Sequence, residues 1–382
     1  MTIFQITVCV AVTAAGLAAA VPSASADETP GIRLNPLPQC EEDRARFCSD
    51  RQGGADIRSC LIDHAADVST ACKQDLERFV QMRRQELSSG GGLYAFGGPP
   101  VPLITYDGRY SPGANSSSFT DNRVNITAPV HTTGTDAVSL SLLGSAVHIG
   151  NPLTLDSGRQ VPADLYRLEA GVSYVSKLPE NRNWGVRGSV GSASDKPFAS
   201  LDDVTFSLGA NYGFPASGNG FWRLSVVVSN NSLIGNYIPI PGVGYLYKTD
   251  TFSGIFGFPV TSLQWTPLFP WSFSLGIFGP NIHTEAAYGS IDRFQLFSGF
   301  YWTRQSYIPS ERDNVKDRLT IEEMKASAGF RVPLGESLLA EVQAGPVFDR
   351  SIYIGSGPLN RGGGSVSLPS EWYVSTALKL KY

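Results

Sequence analysis

Hydrophobic and polar residues alternate along the stretch Glu371–Tyr382. Read at a period of two, one face is apolar with an aromatic residue at each end, and the other is small or cationic. The apolar face holds Trp372, Val374, Thr376, Leu378, Leu380 and Tyr382. Because successive side chains of a β-strand point to opposite sides, the stretch predicts a strand with one apolar and one polar face. The last strand of a soluble β-sandwich would alternate in the same way, so this stretch alone leaves both interpretations open.

The same alternation recurs from about Val138 onward. Phe206 and Leu208, for example, alternate with Ser207. In each repeat one face is too polar for the core of a sandwich, and the other is too apolar to face water. A barrel with lipid outside and water inside accommodates both faces. The sequence therefore predicts a mostly β protein with an antiparallel transmembrane β-barrel over residues 136–382.

The alternation also gives the positions of individual strands. They are predicted at Val138–Gly150, Asp164–Ser176, Asn183–Val190, Asp203–Tyr212, Gly220–Asn230, Gly242–Lys248, Thr251–Trp265, Trp271–Phe278, His283–Ser290, Arg293–Arg304, Arg318–Arg331, Leu338–Asp349 and Glu371–Tyr382. Bacterial barrels have an even number of strands, and this set exceeds an even number by one. The weakest segment, Gly242–Lys248, either merges with a neighbour or forms a loop, so we expect about 12 strands.

Residues 1–26 have the pattern of a secretory signal peptide. An apolar run is followed by Ala24, Ser25 and Ala26, the small residues of a cleavage site. No Lys or Arg precedes Arg33, so the positively charged start of a typical signal is missing.

A charged segment at 38–88 holds the four cysteines that follow Cys9 of the predicted signal peptide. They are Cys40, Cys48, Cys60 and Cys72. An even number of cysteines behind a secretory signal predicts disulfides. Zinc is the competing interpretation, but no C-x2-C pair is present and His64 is the only nearby imidazole. We therefore predict no metal site.

The same segment lacks strand alternation and predicts three short helices. The first two are separated at Gly53-Gly54 and the last two near Ser69-Thr70. Hairpin geometry places Cys48 near Cys60 across the first turn and brings Cys72 back toward Cys40. Of the three pairings that four cysteines allow, this favours the nested one. The prediction is a small disulfide-stapled three-helix module.

The cysteine segment resembles the cysteine-rich repeat of the Golgi apparatus cysteine-rich protein family. The matching residues are C-x7-C followed by "GADIRSCLIDHAADVSTAC". Members of that family carry tandem copies in a secretory lumen, whereas this chain has a single copy. The resemblance implies a disulfide-stapled helical module in an oxidising compartment. It does not determine whether the module binds a partner in the periplasm.

Between the module and the barrel, residues 89–135 are rich in Gly, Pro and Ser and predict a linker. The last part of this segment, "FTDNRVNITAPVHT", is compatible with an extra strand or with a segment lying at the barrel mouth.

A second resemblance covers most of Leu165–Tyr382. The pieces that carry it are "IPGVGYLYK", "GFPVTSLQWTP", "AAYGSIDRFQLFSGFYW" and "FRVPLGESLLAEVQAGPVFDR". They are similar to an uncharacterised family of bacterial outer-membrane β-barrel proteins, known as a domain of unknown function. The resemblance implies the fold and brings no catalytic motif.

Composition agrees with a barrel. Charged residues make up 17% of the 382, below the roughly 25% usual in soluble domains, and there are 40 glycines to supply turns. After the N-terminal segment no apolar run is long enough for a transmembrane helix. The net charge of -4 gives no indication of nucleic-acid binding.

Strand parity identifies the charged residues that should point into the lumen. They are Arg167, Glu169, Arg187, Arg223, Glu285, Arg293, Lys325, Arg331, Glu341, Lys379 and Lys381, and the same parity places Asp203 and Asp349 inside. Cations outnumber anions in this set. One interpretation is a pore with a mild preference for anions. The other is a narrow lumen filled with paired charges that hold it shut.

A catalytic alternative rests on His283, which shares the polar face with Glu285. A membrane-embedded hydrolase needs a histidine that reaches a nucleophilic hydroxyl. The sequence contains no G-x-S-x-G motif, so we favour a non-catalytic protein without a cofactor. We expect an outer-membrane pore or structural envelope component, with its module in the periplasm. Its expected partners are membrane lipid and, through the C-terminal strand, the outer-membrane assembly machinery.

Overall fold

The computed structural model describes residues 38–49, 54–76 and 103–381, the last range with gaps at 114–116, 218–219, 233–235, 250, 268–269, 336 and 357–361. The predicted signal peptide lies outside the described residues. Within the described ranges, no helix is both long and apolar enough to cross a bilayer. The chain divides into two compact units, Met1–Phe79 and Val80–Tyr382.

The first unit contains the cysteine module. A 3-10 turn at Pro38–Cys40 leads into α1 (Glu41–Phe47), and α2 follows at Gly54–Asp63. Residues 70–76 are also helical, and the remainder of the third predicted helix lies beyond the described part of this unit. Disulfides join Cys40 to Cys72 and Cys48 to Cys60, which is the nested arrangement.

The module has a small core that surrounds its disulfides. Leu61, Val68 and Leu76 are buried together with the four cysteines. The buried carboxylate of Asp43 accepts hydrogen bonds from the backbone N–H and the hydroxyl of Ser69, the latter at 2.6 Å. The Ser69 hydroxyl in turn accepts the Cys72 N–H at 3.2 Å, as an N-terminal helix cap does.

The second unit is built from β-strands. They are β1 (Leu103–Ser111), β2 (Phe119–Thr132), β3 (Asp136–Ile149), β4 (Leu153–Thr154), β5 (Gln160–Val161), β6 (Asp164–Lys177), β7 (Asn183–Ser194), β8 (Val204–Pro215), β9 (Gly220–Ser229), β10 (Ile240–Lys248), β11 (Phe252–Phe258), β12 (Val260–Trp265), β13 (Trp271–Phe278), β14 (Asn281–Ser290), β15 (Phe294–Tyr307), β16 (Arg318–Pro333), β17 (Leu338–Gly355), β18 (Ser365–Leu368) and β19 (Glu371–Lys381).

These strands form a closed antiparallel barrel. Successive strands pair with each other, and residues 103–110 of β1 pair with residues 374–381 of β19. The β4–β5 hairpin is a separate small sheet, and β18 pairs with the distal part of β17 in line with β19, so it adds no strand to the ring. The closed ring has 16 strands. We call the end at which β1 begins and β19 finishes the proximal end, and the other the distal end.

The predicted number of about 12 strands is therefore wrong, for three reasons. β1 and β2 lie inside the segment 89–135 that was predicted to be a linker, where turn-forming residues surround the alternation. Gly242–Lys248 belongs to a full strand, β10. The single strand predicted at Thr251–Trp265 is a hairpin, because the chain reverses at Pro259 between β11 and β12.

The outward face of the barrel is apolar, as the alternation predicts. On β19, Trp372 and Val374 are 68% and 51% exposed, whereas Tyr373 and Ala377 are buried. Soluble proteins do not cover their surface with such side chains in rows, whereas barrels surrounded by lipid do.

Aromatic side chains concentrate near the proximal end of this face. The neighbouring pairs there are Tyr174 with Trp184, Trp222 with Tyr245, Trp271 with Tyr288, and Phe294 with Phe330, with ring centroids 4.9–6.0 Å apart. Near the distal end, Phe206 contacts Tyr237, and Tyr110 and Trp372 are exposed. Rings of aromatic residues at two heights are the girdles by which barrels sit at the two membrane interfaces.

A charge placed on the outward face should be costly. Leu208 is 57% exposed in the middle of β8, and we expect Leu208→Arg to lower the free energy of unfolding by about 2–4 kcal/mol in lipid. Ser207→Arg is the matched control, because its side chain points into the lumen. Denaturant unfolding of both variants in lipid vesicles tests this. Equal stability of the two would contradict the outward assignment.

Candidate functional site in the barrel lumen

Most of the charged residues predicted to face the lumen lie on the face opposite the exposed apolar residues. They are Arg167, Glu169, Arg187, Arg223, Glu285, Lys325, Arg331, Glu341 and Lys379. Arg293 is a correction, because it lies in the proximal turn between β14 and β15 and not on a strand. The Lys381 side chain lies outside the described residues.

One group of these residues forms an ion cluster on β14–β17 and β19, which we call the Arg331 cluster. Its members are Glu285, Gln295, Arg331, Glu341 and Lys379. The Arg331 guanidinium donates to Glu285 at 2.6 Å and to Glu341 at 2.7 Å, and Lys379 lies 3.3 Å from Glu341. Two cations therefore face two carboxylates, and the cluster carries no net charge.

A second group, the Glu323 cluster, lies nearer the distal end. It consists of Arg109, Asp121, Glu323, Lys325, Arg350 and Glu371. The Glu323 carboxylate, only 1% exposed, accepts a hydrogen bond from Arg109 and another from Lys325 at 3.0 Å. Arg350 lies 3.5 Å from Glu323 and 3.8 Å from Glu371. Three cations and three carboxylates again balance.

Sequence reasoning found only Lys325 of this second cluster. Arg109 and Asp121 were missed because their strands were assigned to the linker. Arg350 was missed because an irregularity in the β16–β17 ladder, next to Asp349 with φ of 47°, turns Arg350 to the inside. Glu323 shares the parity of Lys325 on β16, and that signal was available in the sequence.

An apolar core packs at the distal end on the side of the Glu323 cluster. It includes Phe119, Val147, Leu165, Ile321 and Ile352, and the β4–β5 hairpin adds Leu155 and Val161. The Arg350 guanidinium lies over the Phe119 ring at 4.5 Å and so joins the ion cluster to the core. On this side, charge pairs and apolar packing occupy the lumen.

The opposite side of the lumen is different, and we call it the neutral wall. Apart from Arg223 near the proximal end of β9, its inward-facing side chains on β8, β9 and β11–β13 are uncharged. Many of them are small and polar, including Ser207, Gly209, Asn211, Ser225, Ser253, Ser262, Gln264, Ser272 and Ser274. Val227 of β9 points inward and is still 40% exposed, so the lumen is open beside it. A recess lined by Gln264, Ser274, Glu285 and Arg331 lies where the neutral wall meets the Arg331 cluster.

His283 does not have the surroundings of a catalytic base. Its ring lies over Gly276 of the neighbouring strand, where an added Cβ would be 1.9 Å from the imidazole. Among the described residues, no serine or threonine hydroxyl is hydrogen-bonded to this ring. The relay from hydroxyl to histidine that a hydrolase requires is not assembled there.

Comparisons with known proteins return barrels at low similarity. No protein-family model and no curated protein matches the sequence. Among solved structures, the toluene transporter TodX of Pseudomonas putida has a TM-score of 0.34 and 7% identity, with 78% of this chain and 93% of that chain covered. An outer membrane channel from Pseudomonas putida F1 has a TM-score of 0.31 and 11% identity over 75% and 98%.

These likenesses do not distinguish channels from barrel enzymes. LpxR from Salmonella typhimurium has a TM-score of 0.28 and 7% identity over 73% of this chain and 100% of that chain. At such low TM-scores the three likenesses carry no argument about function. The assignment of a barrel rests on the closed strand order of this chain and on its apolar outer face.

Proposed function

We propose that this protein is a non-catalytic barrel of the bacterial outer membrane that passes small polar solutes along its neutral wall. The observation that carries the proposal is the unequal lining of the lumen. Paired charges and apolar packing fill one side, and the other is lined largely by small side chains that, except for Arg223, are uncharged. Barrels with about this number of strands leave an aqueous channel when loops or side chains do not fill it.

The outer membrane is supported by the apolar outer face, the two aromatic girdles and the even strand number. The predicted signal peptide and the disulfides support placement of the cysteine module in the oxidising periplasm. Membrane lipid then contacts the outer face. Recognition of β19 by the outer-membrane assembly machinery is part of the same proposal, because the strand presents a row of exposed apolar side chains that includes Trp372, Val374 and Leu378.

Charge pairing predicts weak ion selectivity. Several of the cations counted from the sequence are paired, because Arg331 and Lys379 face two carboxylates and Lys325 faces Glu323. Arg187 remains exposed on the inner face of β7. A mild preference for anions near Arg187 is therefore the selectivity that we propose.

Narrowing the neutral wall should reduce conductance. Asn211 and Ser225 are direct partners on β8 and β9 and both face the lumen. We expect Asn211→Trp/Ser225→Trp to lower single-channel conductance several-fold in planar bilayers, because two indole rings would fill the open space. The control is Ala210→Trp/Val226→Trp, which places the same rings on the lipid-facing side of the adjacent pair.

The same recordings separate a pore from a structural role. If the wild-type protein inserts into the bilayer without conducting, the pore proposal fails and a structural envelope component replaces it. If the inward and outward tryptophan pairs change conductance equally, the neutral wall is not the route. Heat-dependent gel mobility of each variant shows that it has folded.

A further inference from the structure

Two rings lie against the inner wall of β13–β15. The His283 imidazole covers Gly276, and the Tyr301 ring covers Gly299, where an added Cβ would be 2.9 Å from the Tyr301 hydroxyl and 3.0 Å from its ring. His283 and Tyr301 are direct ladder partners, so the two rings are neighbours on one rung of the wall. His283 is exposed and Tyr301 is half-buried. Each ring therefore has one face on the backbone and the other toward the lumen.

A row of polar groups lies beside these rings, one rung nearer the proximal end. Gln264, Ser274 and Glu285 are successive ladder partners on β12–β14, and Gly299 continues the row on β15. The Tyr301 hydroxyl reaches this row because its ring covers Gly299. Within the described part of the chain, the Gln264 amide and the Ser274 and Tyr301 hydroxyls make no hydrogen bond. These groups are available to a solute.

The charges at this place are already paired. Arg331 donates to both carboxylate oxygens of Glu285, at 2.7 and 2.6 Å. Lys325, which shares the rung of Tyr301, donates to Glu323. A charged solute would lose its hydration here and would have to compete with these pairs for a partner. The site therefore favours an uncharged solute.

A cyclic sugar matches both features of this wall. The C–H groups on one face of its ring can pack on the electron-rich face of an aromatic ring, and its hydroxyls both donate and accept hydrogen bonds. The Gln264 amide offers two donors and an acceptor, and the Ser274 and Tyr301 hydroxyls each offer both. Strands about 4.8 Å apart place Gln264 and Gly299 roughly 14 Å from each other, which is long enough for two sugar rings.

We propose that the inner wall of β12–β15 is a binding subsite for neutral cyclic sugars. The sugar ring stacks on Tyr301 and His283, and its hydroxyls bond to Gln264, Ser274 and the Tyr301 hydroxyl. This names the solute class of the route proposed above, and it rests on that route being open. Binding exchanges hydrogen bonds to water for similar ones, so it is weak. A passage needs weak binding, because the solute must leave the site again.

Block of the ion current in planar bilayers tests the subsite. The probe is maltose, and sorbitol is the matched solute, because it carries hydroxyls but no ring with a C–H face. We expect maltose to lower the single-channel current saturably, and sorbitol to lower it only through the viscosity of the solution. Tyr301→Ala should raise the half-blocking concentration of maltose about 2- to 10-fold, the range for one aromatic contact. Phe300→Ala is the control, because the side chain of this neighbouring residue faces outward.

A second variant and a second method complete the test. Gln264→Leu removes the amide without changing the rings and should also raise the half-blocking concentration several-fold. Heat-dependent gel mobility shows that each variant has folded. Saturation-transfer NMR on the full chain in detergent detects maltose binding without a current, and we expect the transfer to fall in Tyr301→Ala.

The outcomes separate the subsite from the pore. A protein that does not conduct but transfers saturation to maltose, and less so in Tyr301→Ala, has the subsite and lacks the pore. Equal block by maltose and sorbitol overturns the subsite and leaves the pore intact, as do equal half-blocking concentrations in Tyr301→Ala and Phe300→Ala. A protein that neither conducts nor transfers saturation to maltose overturns both proposals.

Discussion

Replacing Glu323 by alanine is expected to lower the free energy of unfolding of the barrel by about 3–5 kcal/mol, the range found when one partner of a buried ion pair is removed. The Glu323 carboxylate is almost fully enclosed and faces Arg109, Lys325 and Arg350. Without it, three cations would remain in a site that water hardly reaches. Of the remaining carboxylates, Asp121 lies 3.7 Å from Arg109 and Glu371 lies 3.8 Å from Arg350.

Denaturant unfolding in lipid vesicles, followed by tryptophan fluorescence, measures this loss. The matched control is Glu169→Ala, since Glu169 lies on the inner face of β6 outside both clusters and is only half-buried. We expect the control to change stability little. Glu323→Gln keeps the hydrogen-bond acceptor and should fall between the two. If Glu323→Ala and Glu169→Ala are equally stable, the Glu323 cluster does not hold this side of the barrel together.

The second large effect is expected in the cysteine module. Removing the Cys40–Cys72 disulfide with Cys40→Ala/Cys72→Ala should cost about 2–5 kcal/mol and unfold the module at physiological temperature. The bridge closes a loop of 32 residues, against 12 for Cys48–Cys60, and the core beside it is small. Cys48→Ala/Cys60→Ala is the comparison, and it should destabilise less because the loop is shorter.

Limited proteolysis with mass spectrometry distinguishes the two units. Fragments from the module should appear rapidly in the first double variant, and the barrel fragment should stay intact in both, because the two form separate compact units. A module that resists protease without the Cys40–Cys72 bridge would show that its helices and apolar core suffice for folding.

Alternation predicted most of the barrel because each strand contacts two different solvents. β13 runs from Trp271 to Phe278 as predicted, and the outer and inner faces of β19 were assigned correctly. The local sequence specifies which face of a strand points outward, since a shift of one residue would move every apolar side chain to the lumen. It carries no information on which distant strands meet.

The missed strands have identifiable causes. The alternation of β1 is short and lies among turn-forming residues, and only its pairing with β19 fixes it as part of the wall. The hairpin of β11 and β12 was predicted as a single strand, because its turn at Pro259 contains no long polar segment to separate the two strands. Both errors arise where tertiary pairing overrides local pattern.

The sequence predicts which charged side chains face the lumen, but it does not predict which of them contact each other. Parity placed Arg331, Glu285 and Glu341 inside, but their mutual contacts depend on the register of four neighbouring strands. Arg350 could not be found from parity, because the irregularity beside it changes the face. Predicting ion pairs between strands requires the register in which the strands pair, and a single sequence does not give that register.

The contact between β1 and β19 also sets the order of events during folding. Residues 103–110 meet residues 374–381, so the ring cannot close until nearly the whole unit is in place. Until then, two strand edges expose unpaired N–H and C=O groups, which are templates for aggregation. Contacts so distant in sequence form slowly. For a barrel assembled in the outer membrane, as proposed, we therefore expect a chaperone to bind the unclosed sheet before assembly, and its two free edges are the surfaces that this chaperone would cover.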